Sequence, residues 1–128
     1  MDILLVEDEA DVRQLMFDVL QKEGHHVITA KNGKQAIDYL MIYKVELIIT
    51  DIIMPEIEGI ELILRLRQSN IPIIPITALS KESLMTELLA SLGIVGYLQK
   101  PFVRNDLLAL INIVKESHDK KQPVEQKK

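Results

Sequence analysis

Leu47-Ile48-Ile49-Thr50-Asp51 is an apolar run of strand length that stops at a carboxylate. It shows no alternation of apolar and polar residues, so both of its faces need cover, as in a strand set inside a parallel sheet. The residues after it, Met54-Pro55-Glu56-Ile57-Glu58-Gly59, read as a loop, because Pro55 removes a donor and Gly59 permits an unusual backbone angle. Ile60, Ile63, Leu64 and Arg67 then recur at helical spacing as far as Gln68.

The same unit repeats on both sides. Upstream, Ile3 to Val6 is a short aliphatic strand, and Val12, Leu15, Met16 and Val19 define a helix over Glu9 to Lys22, with Gly24 placed for a left-handed cap. His26 to Thr29 is a second strand, and Asn32 offers an N-cap ahead of Ala36, Ile37 and Leu40. Downstream, Ile71 to Ile76, Lys81 to Leu92, Val95 to Leu98 and Asn105 to Glu116 read as strand, helix, strand, helix. Five βα units with right-handed parallel crossovers predict an α/β protein, one doubly wound sheet with helices on both faces.

The chain of 128 residues has the length of one domain. Hydrophobic residues make up 48% of it and aromatics 4%, so the core must be aliphatic, with Met filling gaps. Without cysteine there is no disulfide, thiol nucleophile or thiolate metal site. No basic, small-residue leader opens the chain and no apolar run approaches the ~18 residues of a membrane span, so a cytoplasmic protein that does not enter membranes is expected. Fifteen basic against nineteen acidic residues argue against direct nucleic-acid binding by this segment. Residues 1–116 are expected to form the domain. Residues 117–128 hold one aliphatic residue, Val124, and a proline, and are expected to be a disordered tail or linker.

In open α/β sheets ligands bind beyond the carboxyl ends of the strands. Glu7 and Asp8 follow the first strand, Asp51 the third, Thr77 the fourth and Lys100-Pro101 the fifth. Singly, such residues are commonly solvated turn residues or helix caps. Together they have a chemical logic. Three converging carboxylates repel one another unless a cation neutralises them, and an all-oxygen ligand set selects a hard cation, for which Mg²⁺ fits best. Lys100 adds a positive point charge and Thr77 a hydroxyl donor, groups able to meet the negative charge that a phosphoryl group would bring.

At these residues the chain resembles the response-regulator receiver domains of two-component signalling. Leu4-Leu5-Val6-Glu7-Asp8-Glu9 is similar to the family's acidic pair and Asp51-Ile52-Ile53-Met54-Pro55 with Gly59 to its phosphoacceptor loop. Ile76-Thr77-Ala78 is similar to its switch hydroxyl motif and Tyr97-Leu98-Gln99-Lys100-Pro101-Phe102 to its last signature. The resemblance implies a flavodoxin-like fold with strand order 2-1-3-4-5, which alternation alone does not fix. It implies that Asp51 is phosphorylated, that Asp8 and Asp51 bind Mg²⁺ with the main-chain carbonyl of Ile53, and that Glu7 acts directly or through the metal's water. By the same resemblance Lys100 pairs with Asp51 and then with the phosphoryl group, Thr77 moves to hydrogen-bond it, and Tyr97 is the aromatic switch. The Lys100–Pro101 peptide is expected to be cis.

As implied partners, a sensor histidine kinase or histidine phosphotransfer protein donates the phosphoryl group, and a downstream protein or fused effector domain responds. The altered surface would be that of the fourth helix, fifth strand and fifth helix, where Met85, Leu108 and Ile113 could serve a partner or a phosphorylation-dependent homodimer. Such a domain is a regulatory phosphoacceptor that assists its own phosphorylation and dephosphorylation rather than an enzyme acting on other substrates.

Three departures stand out. Pro75 inside the fourth strand cannot donate a ladder hydrogen bond, so a bulge or break is expected there. Glu7 replaces the more usual Asp. Ile53 and Leu79, which flank the reaction site by the resemblance, are both aliphatic and would hinder an attacking water. Competing readings fit less well. A haloacid-dehalogenase-like phosphohydrolase needs a second Asp where this chain has Ile53, and a flavodoxin's phosphate loop cannot be Glu7-Asp8-Glu9. A degenerate receiver kept only for docking would have lost part of the set.

Overall fold

The computed structural model of the chain describes residues 1–52, 57–77, 84–94 and 96–121, with side chains outside the description at 57–60, 84–86, 88 and 118–121. Five strands, β1 (Asp2–Val6), β2 (His26–Ala30), β3 (Leu47–Asp51), β4 (Ile73–Thr77) and β5 (Leu98–Gln99), alternate with α1 (Ala10–Lys22), α2 (Gly33–Leu40), α3 (Ile57–Arg67), α4 (Leu84–Ser91) and α5 (Arg104–Lys121). The strands form one parallel sheet in the order β2-β1-β3-β4-β5. This is the doubly wound, flavodoxin-like arrangement that the resemblance implies. Among the described residues no helix is long and apolar enough to cross a membrane.

The lack of polar alternation in the strands has its cause in two cores, one on each face of the sheet. Ile3, Leu5, Leu47, Ile49, Ile74 and Ile76 pack with Met16 and Leu20 of α1 and Leu107, Leu110, Ile111 and Val114 of α5. Their chain neighbours Leu4, Val6, Ile48 and Ile73 point the other way, to Ala36 of α2, Ile63 and Leu66 of α3 and Leu89 of α4. Period-2 strand geometry thus divides one aliphatic run between two layers of helices.

Local signals set several boundaries. Gly24 has φ +90, and the amides of Gly24 and His25 close onto the carbonyls of Gln21 and Leu20, a Schellman cap on α1. The Asn32 side chain accepts from the Gln35 amide at 2.8 Å while Gln35 Oε1 accepts from the Lys31 amide at 2.8 Å, a reciprocal cap on α2.

Other boundaries differ from the sequence reading. α3 begins at Ile57, so Ile57 to Gly59 are helical rather than loop; residues 53–56 lie outside the described residues. β4 runs Ile73–Thr77, and of the expected α4 the first three residues, from Lys81, also lie outside. α5 passes Glu116 and continues to Lys121, so the first five residues of the expected tail are helical. A helix already nucleated on packed turns adds residues at little cost, and the extension ends on two good helix formers, Lys120 and Lys121.

Pro75 does not break β4. It pairs in register with Thr50, between Ile49↔Ile74 and Asp51↔Ile76. The carbonyls of Pro72 and Ile76 accept from β3-side amides and that of Thr77 accepts from Lys100, so Pro75, two residues before Thr77, turns its missing N–H toward the β5 side. There the ladder is short: among the described residues β5 pairs as Ile76↔Leu98 and Thr77↔Gln99. Of the expected β5 of Val95 to Leu98, Val95 lies outside the described residues and the strand found is Leu98–Gln99, the edge strand that the missing N–H of Pro75 faces.

Candidate functional site

The strand registers deliver one polar residue after another to a single edge of the sheet. Val6 pairs with Thr50 and Asp51 with Ile76, so Glu7, Asp51 and Thr77 fall at nearly one level on adjacent strands. Main-chain bonds continue the ladders beyond the strands: Glu7 N to Ala30 O at 3.0 Å, Ile52 N to Ile76 O at 2.7 Å and Lys100 N to Thr77 O at 2.7 Å. The last of these holds Lys100 beside β4, and the peptide after it, Lys100–Pro101, is cis.

The side chains then meet. One carboxylate oxygen from each of Glu7, Asp8 and Asp51 lies within 4.8 Å of the others. Lys100 Nζ stands 3.4 Å from Asp51 Oδ2 and 3.6 Å from Glu7 Oε1. Glu7 is fully buried, Asp51 partly, and Asp8 lies exposed at the mouth. Thr77 is buried at the same edge. Tyr97 precedes β5 and packs, partly buried, against the core that includes Leu89 of α4. Ile53 and Leu79 lie outside the described residues, as does the side chain of Met85. Leu108 packs against the first core, while Ile113 is exposed on α5.

The electrostatics are those of a site short of positive charge. Burial pushes the Glu7 carboxyl up to about 7, and the neighbouring Asp51 charge adds to that rise, against the Glu9 amide and Lys100. Burial also raises Asp51, opposed by the Lys100 ammonium. Glu7 Oε1 is buried without a hydrogen-bond partner among the described residues, although Oε2 accepts from the Glu9 amide at 3.2 Å. A buried lone pair costs free energy unless something occupies it. Among the described residues, one ammonium against three carboxylates, a buried carboxylate oxygen with the Lys100 ammonium at 3.6 Å but no hydrogen bond, and an all-oxygen donor set together suit a hard divalent cation such as Mg²⁺.

Arg13 is absent from the sequence reading. Its Nη1 donates to the main-chain carbonyl of Glu7 at 2.9 Å and, at the longer distance of 3.5 Å, to that of Asp8. Main-chain acceptors leave no trace in residue types, so only its helical offset of four from Glu9 could have hinted at this.

Residues 3–112 match the response regulator receiver domain family, and the chain belongs to that family. It is 39% identical over 118 residues to the transcriptional regulatory protein CpxR of Escherichia coli K12, covering 91% of this chain and 50% of CpxR. It is 38% identical over 120 residues to an uncharacterized 14.6 kDa protein of Leptolyngbya boryana, covering 91% and 88%. The chain therefore spans half the length of CpxR but most of the Leptolyngbya protein. Among solved structures, the chemotaxis response regulator CheY4 of Vibrio cholerae matches with a TM-score of 0.77 at 30% identity, over 88% of this chain and 97% of that one. The Thermotoga maritima response regulator TrrA, solved in complex with Mg²⁺-BeF, matches with a TM-score of 0.72 at 32% identity over the same shares.

Proposed function

We propose that the chain is a phosphorylation-activated switch in which Asp51 accepts a phosphoryl group from a histidine kinase or histidine phosphotransfer protein. One observation carries this reading: the Asp51 carboxylate sits 3.4 Å from the Lys100 ammonium inside a cluster with Glu7 and Asp8. In the transfer an Asp51 oxygen bonds to phosphorus as the bond from phosphorus to the donor breaks, and the donor leaves with that electron pair. Glu7, Asp8, Asp51 and the main-chain carbonyl of Ile53 would hold Mg²⁺, which when bound supplies positive charge to the phosphoryl oxygens.

The chain's own groups do the rest. Lys100 keeps Asp51 ionised before transfer and pairs with the new oxygens after it. Thr77 turns its hydroxyl toward the phosphoryl group, and the space it leaves lets Tyr97 rotate inward. The surface of α4, β5 and α5 changes in consequence and controls a downstream protein, a fused effector domain or homodimerisation. The chain acts in the cytoplasm and does not itself bind nucleic acid. Ile53 and Leu79 hinder the attacking water, so polar substitutions at these positions are expected to speed phosphoryl loss.

The test is incubation with a small-molecule phosphodonor and Mg²⁺, followed by intact-mass measurement. A single phosphoryl mass gain on the unaltered chain, absent from Asp51→Asn and from samples with excess chelator, is expected. Equal labelling of Asp51→Asn would sink the reading.

A further inference from the structure

We infer that Arg13 is a positioning residue for the cation pocket, fixing the connection between β1 and α1 so that Glu7 and Asp8 stay together against their own repulsion. The inference rests on the cation-site reading above and extends it to a residue outside the carboxylate set.

Two consecutive carbonyls end on this one side chain, the Arg13 guanidinium donating to that of Glu7 at 2.9 Å and to that of Asp8 at 3.5 Å. The Arg13 main-chain amide donates to the Glu9 carbonyl at 2.9 Å, the first helical bond of α1, which does not depend on the side chain. Without the Arg13 side chain the connection has few restraints among the described residues. Glu9, the N-cap of α1, makes no side-chain capping bond, and Asp8 is exposed. The remaining ties among the described residues are the Glu7 amide on the Ala30 carbonyl, the Glu9 amide on Glu7 Oε2 and the Arg13 amide on the Glu9 carbonyl.

Like charges this close favour the state in which the exposed member swings into solvent, since solvation recovers what the cluster loses. Holding the main chain at Glu7 and Asp8 fixes where their side chains begin, which shortens that escape. A guanidinium is well suited to this role, being planar, with several donors in a fixed fork and a charge it keeps at any working pH. A lysine offers the charge but not the fork.

The experiment uses the full chain, with Mg²⁺ as titrant and binding read by calorimetry. Arg13→Ala and Arg13→Gln are expected to weaken Mg²⁺ binding about tenfold, the usual cost of losing a group that orients metal ligands. Their metal-free melting temperatures should stay close to that of the unaltered chain. Arg13→Lys should recover part of the loss, whereas Lys22→Ala, which removes a positive charge at the far end of α1, should lose nothing. If Arg13→Ala does not fold, Arg13→Gln decides. Unchanged Mg²⁺ affinity in that variant, or an equal loss in Lys22→Ala, overturns the assignment while leaving the switch reading intact. Absence of Mg²⁺ binding by the unaltered chain overturns the cation-site reading, and this inference with it.

Discussion

Glu7 is a carboxylate taken out of water without full replacement of its hydration, and that imbalance has a pH signature. Its folded-state pKa is raised from 4.5 to about 7, chiefly by burial, so the folded metal-free chain holds a proton that the unfolded chain has already lost. The stabilisation from that retained proton is complete below 4.5 and disappears as pH rises through about 7. The metal-free melting temperature should therefore fall between pH 5 and 8 more steeply than that of Glu7→Gln, which has no proton to lose there. Saturating Mg²⁺ should narrow the difference. Thermal denaturation across that range checks it, and parallel curves for the two proteins would refute it.

At the scale of elements, the caps and the proline make separable predictions. Asn32→Ala removes the acceptor for the Gln35 amide and should cost about 1 kcal/mol, measured by denaturant unfolding. Gln35 is the companion signal, three residues on, and the pair is readable from sequence alone. Pro75→Val supplies the amide that the β5 side lacks. Hydrogen exchange at Leu98 and Lys100 should slow if the proline limits the edge ladder, and unchanged exchange there would assign the shortness of β5 to something else. The consequence of Pro75 could not be placed beforehand, because which neighbour a strand's N–H faces depends on register, and register is a property of paired strands.

For the molecule as a whole, the two cores share one sheet, and damage to either face should unfold both. Leu4 and Leu5 are adjacent, fully buried and on opposite faces. Leu4→Ala and Leu5→Ala should each cost roughly 2–5 kcal/mol, and each should leave a single cooperative transition. Separate melting of the two faces in either variant would contradict a common core.

Much of this architecture was legible in single segments. The apolar strand Leu47–Thr50, the helical spacing of Val12, Leu15, Met16 and Val19, the Gly24 cap and the carboxylates after strands one and three are local patterns whose physics acts within a few residues. What needed the folded chain were quantities that exist only between segments: the 4.8 Å assembly of Glu7, Asp8 and Asp51, the reach of Lys100 to both buried acids, the brevity of β5 and the hold of Arg13 on the acidic turn. Residue types determined which groups were available. Strand register and helix packing decided which of them meet, because distances across a sheet depend on partners that lie tens of residues away in the chain.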